Sequence, residues 1–290
     1  MTAKPENIFA KPVPVIWGDA DVKDTHLIIP DGMNVLQEVL LMQSWAVGSI
    51  ENHQAYPLWS KQAREGMAEF FTAGEDVKNN YTASGGLGKN LVTKEFTLSA
   101  NLKCAAGWSK NFTKYGERWL DVFPNLPNTP KEAQKAQEPL LNLSRLFLDI
   151  KKHTLCEVFK ALSDMNALNA SEAIKMLTDD LMLGMVYYAP TEGKKLQPDE
   201  PLHGWHADKP PLGFMLGPTT ENPGIYLWST LTRTFVPAPP LKENEFIIHT
   251  GSKLEEAVIK ENFPFVPNYH YVENTPHARA HGRMALQFQG

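Results

Sequence analysis

His206, Ala207 and Asp208 stand together, His270 follows 64 residues after His206, and Arg283 comes near the end. Two neutral imidazoles and one carboxylate can occupy one face of an octahedral metal and leave adjacent positions open, the ligand set of non-haem Fe(II) sites. The open positions can hold a bidentate cosubstrate and dioxygen together. The planar guanidinium of Arg283 suits a carboxylate on such a cosubstrate, because its N–H groups pair with it in a fork. In an extended strand residues two apart point to the same face, so His206 and Asp208 are expected to project together. The distance in sequence to His270 leaves room for several strands to intervene and return it beside that pair.

A His-x-Asp triplet among nine histidines says little by itself, because histidine is used widely at surfaces and in cores. Its surroundings say more. After Asp208, short apolar stretches around Leu212, Ile225, Phe235 and Phe246 alternate with Gly217-Pro218, Gly224 and Pro237. Such spacing describes an all-β barrel or sandwich. Before it, apolar residues at Leu140, Leu143, Phe147, Ile150, Leu155 and Phe159 recur at helical intervals, predicting an amphipathic helix over about 138–162. Further helices are expected over 58–71 and 170–181, and near 35–40, with a strand over 45–52. Residues 79–115 are rich in Gly, Asn, Thr and Lys and read as irregular hairpins, and 194–201 reads as a polar insertion.

Several stretches, in order, resemble one family. Val13-Pro14-Val15-Ile16 is similar to its opening strand, and Trp45 to His53 to its "GFF-x-(V/L)-x-NH" segment. Trp119 to Pro127 resembles its Trp/Asp/Phe and Asn/Pro loop, Tyr187-Tyr188-Ala189-Pro190 its "NYYP" strand, and Trp205 to Asp208 its first ligand pair. Ile247 to Ser252 resembles the "VNxGD" turn, Tyr269 to Val272 the "HRV" strand, and Arg283-Met284-Ala285 the terminal "RxS". The chain is thereby identified as resembling the isopenicillin N synthase-like branch of the Fe(II)/2-oxoglutarate dioxygenases. The resemblance implies a mainly β fold with flanking α-helices around a double-stranded β-helix, the jelly-roll or cupin-like core. It implies one catalytic domain over 1–290, with 1–180 packing as strands and helices on a core at 181–290.

Carried onto this sequence, the resemblance implies His206, Asp208 and His270 as metal ligands, and Arg283 with Tyr188 as contacts of 2-oxoglutarate. The cofactors implied are Fe(II), 2-oxoglutarate as cosubstrate and O2. The reaction implied is oxidation of an unactivated C–H bond of a small molecule, amino-acid-derived or a specialised metabolite. Hydroxylation, desaturation or ring closure can result, with release of succinate and CO2. Two departures stand out. The family's serine is Ala285 here, and the distance from His270 to Arg283 is longer than usual, so Arg279 competes for the clamp; Met284 to Phe288 gives Arg283 a strand to sit on. The sequence given ends at Gly290, where many relatives continue into a helix over the barrel mouth, so the expectation is that another segment closes the site or that it stays open. The alternatives are an iron oxidase or cyclase independent of 2-oxoglutarate, and a non-catalytic jelly-roll binding protein.

Other residues compete with this assignment. His203 and His206 would share a helix face, but Pro201, Gly204, Pro210 and Pro211 disfavour a helix, and with it a zinc hydrolase. His249 stands where the family has Asn and reads as a polar core residue beside the site, and His277 and His281 as exposed residues of a terminal loop. Ser84 to Asn90 lacks two of the required residues of a phosphate loop. A length of 290 residues allows one large barrel domain, and 42% hydrophobic content supports a core. A net charge of −5 with no dense basic stretch argues against nucleic acid. No run of eighteen apolar residues argues for a membrane span. With two cysteines, Cys104 and Cys156, and no apolar signal core at the start, a cytoplasmic protein is expected. A small-molecule substrate is the expected partner, and a monomer the expected state.

Overall fold

The computed structural model describes residues 40–41, 43–50, 53–81, 107–110, 113, 115–123, 130–191, 200–219, 224–230 and 232–290. The expected strand at 13–16, most of the helix near 35–40, the 84–90 segment and most of the 194–201 insertion lie outside them. The first half supplies β1 (Trp45–Ser49), α1 (Ala55–Thr72), α2 (Glu75–Asn79), β2 (Gly107–Ser109) and β3 (Gly116–Phe123). Then come α3 (Gln137–Asp164) and α4 (Ala170–Thr178). Eight strands follow: β4 (Leu181–Tyr188), β5 (His203–Ala207), β6 (Leu212–Leu216), β7 (Ile225–Ser229), β8 (Thr234–Pro237), β9 (Glu245–Thr250), β10 (Tyr269–Val272) and β11 (Arg283–Gln289). A short helix, α5 (Pro276–His281), precedes the last of them.

The strands form two antiparallel sheets, a larger one in the order β1-β9-β6-β11-β4-β3-β2 and a smaller one in the order β5-β10-β7-β8. The eight strands from β4 onward divide equally between them, the arrangement of a jelly roll. The expected mainly β fold with flanking helices is borne out.

Period-two alternation explains how the larger sheet serves two cores. Leu183 and Met185 on β4, Phe214 and Leu216 on β6, Phe246 and Ile248 on β9, and Leu286 and Phe288 on β11 turn to one face and pack with the helices. Val186, Tyr188, Met215 and Ile247, from alternate positions, turn inward with Ile225, Leu227 and Val272 of the smaller sheet. Strands buried on both faces must be apolar throughout, hence the short continuous apolar runs in the sequence.

The 3.6-residue spacing of α3 places Leu140, Leu143, Phe147, Ile150 and Leu162 on the buried side. Phe147 stacks on Phe288 with ring centroids 4.8 Å apart and meets Phe246 edge-on at 5.4 Å. Burying one such side chain contributes about 1.5–3 kcal/mol. α4 stops at Thr178 rather than the expected 181, because Leu181 already pairs with Phe123 as the first residue of β4. The expected terminal loop carrying His277 and His281 is the helix α5: Thr275 caps it, accepting from Ala278 N at 3.1 Å, and Pro276 opens its first turn.

Candidate metal centre

His206 on β5 lies directly opposite His270 on β10 in the antiparallel register. Asp208 follows the end of β5, two residues on and therefore on the same face as His206. The turn after β9 fixes its backbone: Ser252 N donates to Asp208 O at 2.8 Å, and Gly251 N to Pro211 O at 2.9 Å. Only glycine fits there, since a Cβ on Gly251 would lie 1.9 Å from Pro210 O and 2.6 Å from Asp208 O.

One ligand atom from each of His206, Asp208 and His270 lies within 4.8 Å of the others. His206 Nε2 is 3.6 Å from Asp208 Oδ1, and the His206 and His270 rings are 4.4 Å apart. His206 Nδ1 lies 2.8 Å from Gly204 O. A carbonyl only accepts, so Nδ1 carries a proton, and Nε2 is the nitrogen turned towards Asp208. His270 Nδ1 is buried with no hydrogen-bond partner. A buried polar atom left so is costly, and a cation held by these three side chains would give that ring a role. The donor set therefore fits a divalent metal of the Fe(II) type.

The electrostatics agree with ligation. Burial works to raise the Asp208 carboxyl, but His270, then His249, His206 and His203, outweigh it and hold it at about 2. Burial pushes His270 well below its ordinary value, against the pull of Asp208. An ionised carboxylate and a neutral imidazole are the protonation states that metals bind.

Two further histidines press on this group. His203 stacks on His206 at 3.9 Å between ring centroids. Three residues apart in a regular strand they would face opposite ways. The ladder, however, slips between His270 opposite His206 and Val272 opposite His203, three residues of β5 spanning two of β10. That bulge turns both rings to one side, a device that helix-based reasoning on the pair cannot anticipate. Burial, then His206, brings His203 down to about 3. His249 on β9 is buried with Nε2 3.5 Å from Asp208 Oδ2. Its ring occupies the space above Gly213, where a Cβ would come within 2.3 Å of it. Gln289 also donates to Asp208 Oδ2, at 2.7 Å.

A cavity of about 420 Å³ opens on these residues, within the range of roughly 300–1,000 Å³ usual for small-molecule sites. Arg283, Ala285, Gln287 and Gln289, alternate residues of β11, all line it. Arg283 sits opposite Tyr188 in the β11–β4 register, its Cζ 6.0 Å from the Tyr188 ring. Burial lowers the Arg283 pKa, and Tyr188 opposes that. The Tyr188 hydroxyl, raised to about 12 mainly by burial, is hydrogen-bonded to Thr113. Arg279 does not line the cavity; it lies on α5, its carbonyl accepting from Thr191 N at 2.9 Å.

Sequence reasoning missed Arg118. It lies on β3, outside the eight jelly-roll strands, 7% exposed, and lines the same cavity. Burial lowers it to about 10, partly offset by Asp208. The alternation of Arg118 and Leu120 with buried Trp119 was the available signal, but it belongs to a stretch read for its loop motif.

No protein-family model and no curated protein sequence matches the chain. Solved structures do match its fold. A Shewanella oneidensis protein with a provisional oxygenase assignment superposes with a TM-score of 0.66 at 14% identity, over 96% of this chain and 89% of that one. A full-length Neurospora crassa protein, solved in complex with alpha-KG, gives 0.62 at 14% identity over 88% of this chain and 76% of that one. The rice dioxygenase for auxin oxidation gives 0.58 at 14% identity over 89% and 76%. The chain therefore has the fold on which 2-oxoglutarate–iron oxygenases are built.

Proposed function

We propose that this protein is an Fe(II)- and 2-oxoglutarate-dependent oxygenase that oxidises an unactivated C–H bond of a small molecule, with release of succinate and CO2. The observation that carries the proposal is the convergence of His206, Asp208 and His270 on a cavity that the half-buried Arg283 also lines. Fe(II), when bound, supplies activation of O2 coupled to oxidative decarboxylation of 2-oxoglutarate. The side chains supply the rest. His206 and His270 offer imidazole nitrogens and Asp208 an ionised carboxylate, steadied by Gln289. Arg283 takes the far carboxylate of the cosubstrate through its fork of N–H groups. The apolar inner wall, with Leu227, Ile247 and Val272, excludes water and orients the carbon to be oxidised.

A second reading is an iron oxidase or cyclase that uses O2 without 2-oxoglutarate. Ala285, which lines the cavity without a hydroxyl, and the engagement of Tyr188 with Thr113 favour it. Anaerobic titration with Fe(II) and then 2-oxoglutarate separates the two. The oxygenase gives a saturable visible charge-transfer band that is lost in Asp208→Ala. Iron binding without the band supports the oxidase, and absence of iron binding leaves a non-catalytic binding protein.

A further inference from the structure

The two oxygens of Asp208 have different surroundings, and a row of three residues across the larger sheet makes the difference. Gly213 on β6 lies opposite His249 of β9 on one side and Gln289 of β11 on the other. Gly213 alternates with Leu212 and Phe214 of the helix-side core, so all three positions share the cavity face. A Cβ on Gly213 would collide with the His249 ring. The gap admits that ring, and the side chains of the two flanking strands meet at one atom. Gln289 Nε2 donates to Asp208 Oδ2 at 2.7 Å, and His249 Nε2 stands 3.5 Å from the same oxygen. The Gln289 backbone is fixed on both sides, paired with Met182 as well as Gly213. Oδ1 is the oxygen turned to His206 Nε2, 3.6 Å away.

We infer that Gln289 and His249 are positioning residues that keep Oδ2 for the protein and leave Oδ1 alone to ligate the metal. The inference rests on the reading of His206, Asp208 and His270 as Fe(II) ligands. A carboxylate can bind a metal through one oxygen or through both, and through both it takes a second coordination position. A bidentate cosubstrate and dioxygen together need the three positions that two imidazoles and one carboxylate oxygen leave open. A chelating Asp208 would remove one of them. The row across β9, β6 and β11 prevents this by engaging the second oxygen before any metal arrives.

The test is anaerobic titration of metal-free protein with Co(II), read by its visible ligand-field bands, beside thermal unfolding of the metal-free protein. Gln289→Met keeps the length of the side chain and removes the donor. It should weaken Co(II) binding about 10–100-fold, the usual effect of losing a partner of a metal ligand. The bands should change as well, because both carboxylate oxygens then reach the ion, while the metal-free Tm stays near that of the wild type. Gln287→Met, the same exchange at the preceding cavity-facing residue of β11, should leave affinity and bands unchanged. Gly213→Ala, which displaces His249 and keeps Gln289, should weaken Co(II) severalfold. The inference is overturned if Gln289→Met keeps the wild-type affinity or the wild-type bands, or if Gln287→Met weakens Co(II) equally. Should Gln289→Met fail to fold, Gly213→Ala decides in its place, and unchanged Co(II) binding there overturns the inference. A wild type that binds no Co(II) removes the ligand reading and the inference with it, whereas Co(II) held equally by wild type and Gln289→Met removes the inference alone.

Discussion

At the residue scale the centre depends on a few side chains whose types announce their chemistry and a few that do not. His206, Asp208 and His270 could be picked out because two imidazoles and a carboxylate form a recognisable donor set at any sequence separation. Arg118 was missed because it comes from a neighbouring strand, and His203 was weighed only as a helical partner of His206 because the bulge that turns it to the same side leaves no trace in the sequence. Position favours Arg283 over Arg279 as the proposed clamp: the first lines the cavity, and the second rides on α5. Arg283→Gln should therefore raise the dissociation constant of 2-oxoglutarate by roughly 10–100-fold, corresponding to about 1.5–3 kcal/mol for a hydrogen-bonded charge, with iron affinity little changed. Arg279→Gln should change neither. Equilibrium dialysis with labelled 2-oxoglutarate checks this, and the opposite ranking would reassign the clamp.

At the element scale, α3 was legible as 138–162 and is found at Gln137–Asp164, because its apolar residues repeat with the helical period over seven turns. Weaker signals fared worse. α5 has only six residues, too few for a periodic pattern, and its Thr275-Pro276 start was the one cue. α3 also carries a cost. Lys151 is buried on its inner side and donates to Asp179 O at 2.6 Å. Burial brings its pKa down to about 8, although Asp179 opposes the shift. Between that value and the ordinary one the unfolded chain binds the extra proton, so stability must rise with pH across this window. The unfolding free energy of the wild type should climb by up to about 3 kcal/mol from pH 8 to 10.5 relative to Lys151→Met. Denaturant titrations of both proteins at several pH values read the difference, and parallel curves would remove the assignment.

At the scale of the whole molecule, one larger sheet lies between the helices and the smaller sheet, and the candidate centre draws on both sheets. The β-rich second half was legible because doubly buried strands such as β6 and β9 write themselves as apolar runs; the enlargement of the sheet by β1, β2 and β3 was not, since pairing partners far apart in sequence leave no local trace. A metal that bridges β5 and β10 must stabilise the fold that creates its site. Mn(II) at about a hundred times its dissociation constant should add about 2.7 kcal/mol, raising Tm by several degrees, and a chelator should reverse the gain. His270→Ala should show no such response, and a wild-type Tm indifferent to the metal would argue against the site. The alternation of β11 has a last consequence, for how this sequence can change over time. Its even-spaced set, Arg283 to Gln289, faces the cavity, while Leu286 and Phe288 fill the helix-side core. One residue inserted between them would exchange the two sets and press polar groups against Phe147. Descendants of this gene can substitute along β11, but they are barred from altering its length, and divergence in size must accumulate in the connections instead.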